Sequence, residues 1–209
     1  MPRTSHLAIT ISRELGSGGA YIGHKLAEEL NMYYADHEII TRTAEKLSVF
    51  LDDVAHHEEK ITSFWQNFWE KTGVFEFYSE AIGSFSPTTA KIYETETEVI
   101  QQIVRDHSAV IIGRCGFHVL KDYPNLVSIY LHGSMDARAQ RLMEVQKISE
   151  LEAQTKIIAS DRERALYIKK FTKKNWTDIH NFDLSIDTGK IGFDNATEII
   201  LKYIKSRKV

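Results

Sequence analysis

The chain has 209 residues, 43% hydrophobic and 26% charged, with 26 lysines and arginines against 29 acidic residues and a formal net charge of -3. That balance provides no global attraction to nucleic acid, so any phosphate ligand must be held by local basic residues. The length supports one sizeable core with room for a mobile subdomain; no apolar run approaches the roughly 20 residues that span a bilayer, the N-terminal MPRTSHLAIT lacks a signal peptide's apolar segment, and a cytoplasmic location without membrane contact is expected.

The first strand is predicted over Leu7 to Ser12, and it opens the stretch ITISRELGSGGAYIGHKLAEEL, residues 9 to 30. An apolar strand runs there into a glycine loop and then into an amphipathic helix, Tyr21 to Leu30. Laid against the pattern GxxxxGK[ST], the lysine position falls on Gly19 and the hydroxyl position on Ala20 or Tyr21. Backbone N–H groups at Gly16, Ser17, Gly18 and Gly19 can still face an anion at the positive end of the helix. A plain strand-to-helix turn is the competing reading of the same glycines.

A second strand, Met32 to Asp36, precedes a helix over His37 to Leu47. Residues 51 to 86 then crowd Phe64, Trp65, Phe68, Trp69, Phe75, Phe77 and Tyr78 together. The first four share one helical face, which must be buried against the protein's own core, in a homodimer surface or on a nucleobase. His56 and His57 lie among charged residues without zinc-ligand spacing, so a solvated helix face is expected rather than a metal site.

Further along, a helix over Pro87 to Asp106 leads to a strand over Ala109 to Gly113 inside VIIGRCG. Gly113 lets the chain turn off the strand, and Arg114 emerges where an open parallel sheet binds ligands, able to grip a phosphate bidentately or to stand as an ordinary surface arginine. Cys115 is the single cysteine and excludes an internal disulfide. Strands over Leu126 to Leu131 and Phe182 to Asp187 flank helices over Met135 to Gln146 and Ser149 to Lys173. A last helix covers Asp194 to Ser206, with Asp194 as its N-cap. Near-continuous apolar strands alternating with helices indicate an α/β fold with a parallel sheet covered on both faces. Arg138 and Arg141 are three apart, Arg162 and Arg164 two apart; each pair is placed to converge on one polyanion, or else to form ion pairs along a solvated helix.

Taken in order, the glycine loop, Asp36 with Arg42 six residues on, the GR at 113 and 114, SMDARAQR at 134 to 141 and DRERA at 161 to 165 are similar to bacterial cytidylate kinases. The closest likeness is to their divergent relatives, the cytidylate kinase-like proteins, whose loop has the form SREFGSGG. This resemblance implies a single nucleoside monophosphate kinase domain of P-loop type, a three-layer sandwich around a five-stranded parallel sheet, with a helical insertion near 51–86 and a lid near 147–175. It implies transfer of the γ-phosphate of ATP, with Mg2+, to a nucleoside monophosphate, CMP or dCMP foremost. Carried over by position, Gly16, Ser17, Gly18, Gly19, Ala20 and Tyr21 hold donor phosphates, and Asp36, Arg42 and Arg114 face the acceptor. Arg138 and Arg141 then stand beside the reaction centre, with Arg162 and Arg164 in the lid. The chain departs from the family at Gly19, where cytidylate kinases carry lysine, at Ala20, where many divergent relatives carry arginine, and at Cys115, where GRD has its acid. Arg13, just upstream, is the expected substitute for the lysine. A weak nucleotide-binding module and a kinase for another phosphorylated metabolite are the alternative functions.

Overall fold

The structure, a computed structural model, describes residues 5–36, 39, 41–43, 45–46 and 89–207. The aromatic segment and the homodimer surface expected from it lie outside those residues. The chain divides into two compact units, one made of residues 1–35 and 103–209 and the other of residues 36–102.

In the first unit the strands are β1 (Ala8–Arg13), β2 (Tyr33–Ala35), β3 (Ala109–Ile112), β4 (Leu126–His132) and β5 (Leu184–Asp187). They form one fully parallel sheet in the order β2-β3-β1-β4-β5, so the expected α/β architecture with five parallel strands is the observed one. Parallel strands need crossovers, and helices on both faces bury both sides of the central strands. Hence Ile9, Ile11, Val110, Ile112, Val127, Ile129 and Leu131 are all buried, with Ile22 and Leu26 of the first helix packed into the same core.

The helices are α1 (Gly19–Glu29), α2 (Thr89–Asp106), α3 (Gly116–Val119), α4 (Met135–Gln146), α5 (Glu150–Thr172), α6 (Thr188–Ile191) and α7 (Phe193–Ser206). α1 starts two residues earlier than predicted, which places Gly19 and Ala20 in its first turn. At α7 the N-cap is Gly192, not Asp194; Asp194 falls inside the first turn, where its Oδ1 accepts from Lys25 Nζ at 2.6 Å and from the Tyr21 hydroxyl at 2.9 Å. β5 begins at Leu184 because Phe182 caps a short 3-10 turn (Ile179–Asn181) and packs its ring on Tyr130 and Phe117.

The second unit contributes most of α2 and a helical stretch that includes residues 41–43, tied by Lys46 to Glu98 at 3.4 Å. Asp36 and Arg42 belong to this unit and both are half-buried.

Candidate functional site

At the carboxyl end of β1 the chain passes through Glu14, Leu15, Gly16, Ser17 and Gly18 before entering α1. Two glycines make that path possible. Gly16 has φ +88 and Gly18, the N-cap of α1, has φ +80, in the left-handed region where a side chain is strained. The first-turn amides of Gly19, Ala20 and Tyr21 have no intrahelical carbonyl partners, as at any helix start, and no side chain caps α1 in their place. Amides in that arrangement, at the positive end of a helix, favour an anion.

Ser17 does not face outward. Its hydroxyl is buried, 2.8 Å from the Glu14 carbonyl oxygen and 3.1 Å from that of Leu131, and so pins the loop to the sheet. Thr188, at the start of α6, adds a second pin: its hydroxyl lies 3.0 Å from the Ser17 carbonyl oxygen and 3.1 Å from that of His132. Ser17 is turned inward, and the Glu14 carboxylate is held by Arg138, Tyr130 and Gly133. Of the two candidate hydroxyl positions Ala20 has no oxygen and Tyr21 donates to Asp194, so the side-chain oxygens around the loop are engaged within the protein. Among the described residues no group of three His, Cys, Asp or Glu side chains is placed to hold a metal ion.

Arg13, the last residue of β1, crosses the top of the loop. A Cβ on Gly19 would stand 2.7 Å from Arg13 Cγ and 3.1 Å from its Cβ, and a Cβ on Gly113 would collide with the Arg13 Nη1. The stem therefore covers Gly19, and the guanidinium rests where β3 ends. There Gly113, Arg114 and Cys115 take positive φ values of 70, 50 and 53 in succession. Two of those are non-glycine residues, whose left-handed conformation costs about 1–2 kcal/mol each and persists only where surrounding structure enforces it.

Behind the loop sits an ion network. Arg138 of α4 is buried; its Nη1 donates to Asp161 Oδ2 at 2.6 Å and to the Leu15 carbonyl at 3.2 Å, and its Nε donates to the Gly133 carbonyl at 3.0 Å and lies 3.3 Å from Glu14 Oε2. Asp161 Oδ1 accepts from the Leu15 amide at 2.9 Å and from Arg164 Nη1 at 3.3 Å. Glu14 also accepts from the Tyr130 hydroxyl and from the Gly133 amide. Burial, followed by the Glu14 carboxylate, drives the Tyr130 phenol above its ordinary range. Burial also pulls the Arg164 guanidinium below its usual value, against the opposing pull of Asp161. The side chains of Glu14, Tyr130, Arg138, Asp161 and Arg164 join the loop, β4, α4 and α5 into one hydrogen-bonded, mostly charged cluster.

Of the arginine pairs read from the sequence, the one on α5 separates, whereas Arg138 and Arg141 both line one cleft beside the loop. Residues two apart on a helix point in nearly opposite directions: Arg164 turns inward to Asp161, whereas Arg162 is exposed. Arg138 is enclosed by its carboxylates, while Arg141 is more open and its Cζ stands 5.4 Å from the centre of the Phe193 ring. That ring covers the glycine loop, since a Cβ on Gly18 would fall 2.6 Å from Phe193 Cε1. Arg141, Phe193, Gly16, Thr188 and Gly189 line a cleft of about 260 Å3 that opens beside the loop. Arg114 lies half-buried at the end of β3. Sequence reasoning carried Asp161 only within the DRERA motif and missed Glu14, Thr188 and Phe193. No periodicity or motif marks the last two, which reach the loop from more than 170 residues away.

The cytidylate kinase-like family matches residues 8–190. Cytidylate kinase of Saccharolobus islandicus (strain L.S.2.15 / Lassen #1) is 27% identical over 114 residues, 53% of this chain and 58% of that protein. Cytidylate kinase of Sulfolobus acidocaldarius is 32% identical over 116 residues, 54% of this chain and 61% of that protein. The chain thus matches little more than half the length of these relatives. Among solved structures, an uncharacterized protein from Eubacterium ventriosum superposes with a TM-score of 0.70 at 27% identity, covering 97% of this chain and 100% of that one. Shikimate kinase from Acinetobacter baumannii, solved with shikimate, gives 0.52 at 17% identity over 98% and 96% of the two chains, a likeness of fold. The match over 183 of the 209 residues (8 through 190), in a chain whose five-stranded parallel sheet carries a glycine loop after its first strand, places it in the cytidylate kinase-like family.

Proposed function

We propose that the protein transfers the γ-phosphate of ATP to a nucleoside monophosphate, CMP or dCMP above the others. The observation that carries this reading is the continuity between anion cradle and cleft: the first-turn amides of α1 are placed to receive an anion, and beside them Arg141 and Phe193 form a cation and ring wall suited to a flat base. In such a site the acceptor phosphate oxygen attacks the γ-phosphorus and the bond to the β-phosphate bridging oxygen breaks, releasing ADP. No general base is needed, because the acceptor phosphate is already an anion. The chain's contribution is positioning and charge neutralisation. In this reading Gly16, Gly18, Gly19, Ala20 and Tyr21 hold donor phosphates, Arg114 holds the acceptor phosphate, Asp36 and Arg42 serve the acceptor, and Arg162 closes from the lid. ATP ordinarily enters such reactions as its Mg2+ complex; the loop side chains do not fit as ligands for that ion.

A second reading, a nucleotide-binding module with slow transfer, draws on one observation. Arg138 and Arg164 are both engaged by acidic residues of the protein itself, which occupy donors that a transferring phosphoryl group would need.

A coupled ADP-release assay with ATP and Mg2+ across CMP, dCMP, UMP, AMP and GMP separates the two. The kinase reading expects release with CMP or dCMP well above that of an Arg141→Ala, Arg162→Ala control. Release no faster than the control for every acceptor overturns it in favour of the module.

A further inference from the structure

We infer that the donor-phosphate cation of this loop has moved from its seventh position to its first, so that Arg13 and a lysine at position 19 are alternatives that exclude one another. The inference rests on the reading of the loop as a donor-phosphate site. In register with GxxxxGK[ST], the residues from 13 to 20 read Arg-Glu-Leu-Gly-Ser-Gly-Gly-Ala. The pattern's first glycine is Arg13 here, and its lysine is Gly19. Glycine and cation have changed places between the two ends of one loop.

The geometry explains why the two changes belong together. Residue 19 is the first residue of α1 and is packed against residue 13, so a Cβ there would overlap Arg13 Cγ at 2.7 Å and crowd its Cδ at 3.3 Å. Any side chain at 19 must expel the arginine stem. Gly113, just past the end of the neighbouring strand β3, makes the matching concession, because the Arg13 guanidinium occupies the place of a Cβ. Both glycines are thus the other half of a single arginine placement. Arg13 leaves from β1 at the carboxyl edge of the sheet, the side on which the loop amides of α1 gather an anion. A planar guanidinium held there supplies two parallel donors to phosphate oxygens, where lysine supplies a point charge.

The test is a swap. ATP binding by calorimetry and ADP release are measured for the wild type, Arg13→Ala, Gly19→Lys, Arg13→Lys and the Arg13→Ala, Gly19→Lys double variant, with melting curves as a check on folding. Loss of tenfold or more in ATP affinity is expected for Arg13→Ala and for Gly19→Lys alone. In the double variant the Cβ of residue 13 remains 3.1 Å from the new one, an overlap that a shift of a few tenths of an ångström relieves, and affinity is expected to return to within about threefold of wild type. Unchanged affinity in Arg13→Ala overturns the inference, as does a folded double variant no better than that single one. If the double variant does not fold, Arg13→Lys decides: affinity held within fivefold supports the charge role, and a loss equal to that of alanine overturns it. A wild type that binds ATP in this Arg13-dependent way yet transfers to no acceptor removes the kinase reading and leaves this one standing.

Discussion

Gly18 meets two demands at once, and any side chain violates both. Its φ of +80 costs an L-residue about 1–2 kcal/mol, and the Phe193 ring stands where a Cβ would be. Gly18→Ala is therefore expected to lower stability by about 2 kcal/mol or more, a fall in Tm of roughly 4–8 °C for a domain of this size. Removing the ring lifts only the steric part, so adding Phe193→Ala should cost less than the sum of the single changes. Melting curves of the two single variants and the double variant check this; strict additivity refutes the contact. Asp161 carries a comparable burden with charge in place of shape. Its two oxygens serve the Leu15 amide, Arg138 and Arg164, and an asparagine presents one acceptor where the carboxylate presents two. Asp161→Asn should cost about 2–3 kcal/mol and speed hydrogen exchange at the Leu15 amide, because a buried guanidinium is left short of its counter-charge. Exchange at Leu15 as slow as in the wild type would show that the carboxylate does not hold the loop.

Among the elements, α5 shows most plainly what one chain segment encodes by itself. Ser149 accepts from the Glu152 amide while Glu152 returns to the Ser149 amide, a reciprocal cap, and Lys173 ends the helix in a left-handed turn. Ser149→Ala should cost about 1 kcal/mol, visible as a Tm lower by roughly 2–4 °C and as faster amide exchange confined to the first turn of α5. Exchange accelerating along the whole helix would mean that docking, not the cap, depends on Ser149. Caps and periodicity are local, which is why α4 is read from the sequence to the residue and α5 to within one at each end. Signals fail where tertiary structure chooses among local options. Asp194 looks like a cap, but Gly192 enters α7 first and the carboxylate is drawn to Lys25 and Tyr21. Arg162 and Arg164 look like a pair until a continuous helix turns them apart.

The same contrast holds for the molecule as a whole. The glycine loop lies within eight residues, so its cradle is legible in the sequence, whereas Thr188 and Phe193 close around it by long-range folding that no spacing announces. Acid sensitivity belongs to this scale too, because it sums groups from distant elements. His118, at the end of α3, is lowered from its ordinary 6.5 by burial first and then by Lys121 and Lys174, with Asp122 opposing. The folded state thus binds fewer protons at His118 than the unfolded chain does just below pH 6.5, so stability falls as the pH drops through that window. Glu152, Asp178 and Asp194 are each held below their ordinary values, 4.5 for the glutamate and 3.8 for the aspartates, chiefly by hydrogen bonds to Ser149, His180 and Lys25. Their contribution is present above those values and is lost as the pH falls through the lowered ones. Stability should consequently decline in two stages, the first set by His118 and the second by the carboxylates. Melting temperatures between about pH 7.5 and 5.5 isolate the first stage: the wild type is expected to lose stability across that range, and His118→Gln to lose markedly less. Equal slopes would assign the early stage to other groups, while a flat variant curve would assign it to His118, whose charged form is disfavoured first by burial and then by Lys121 and Lys174.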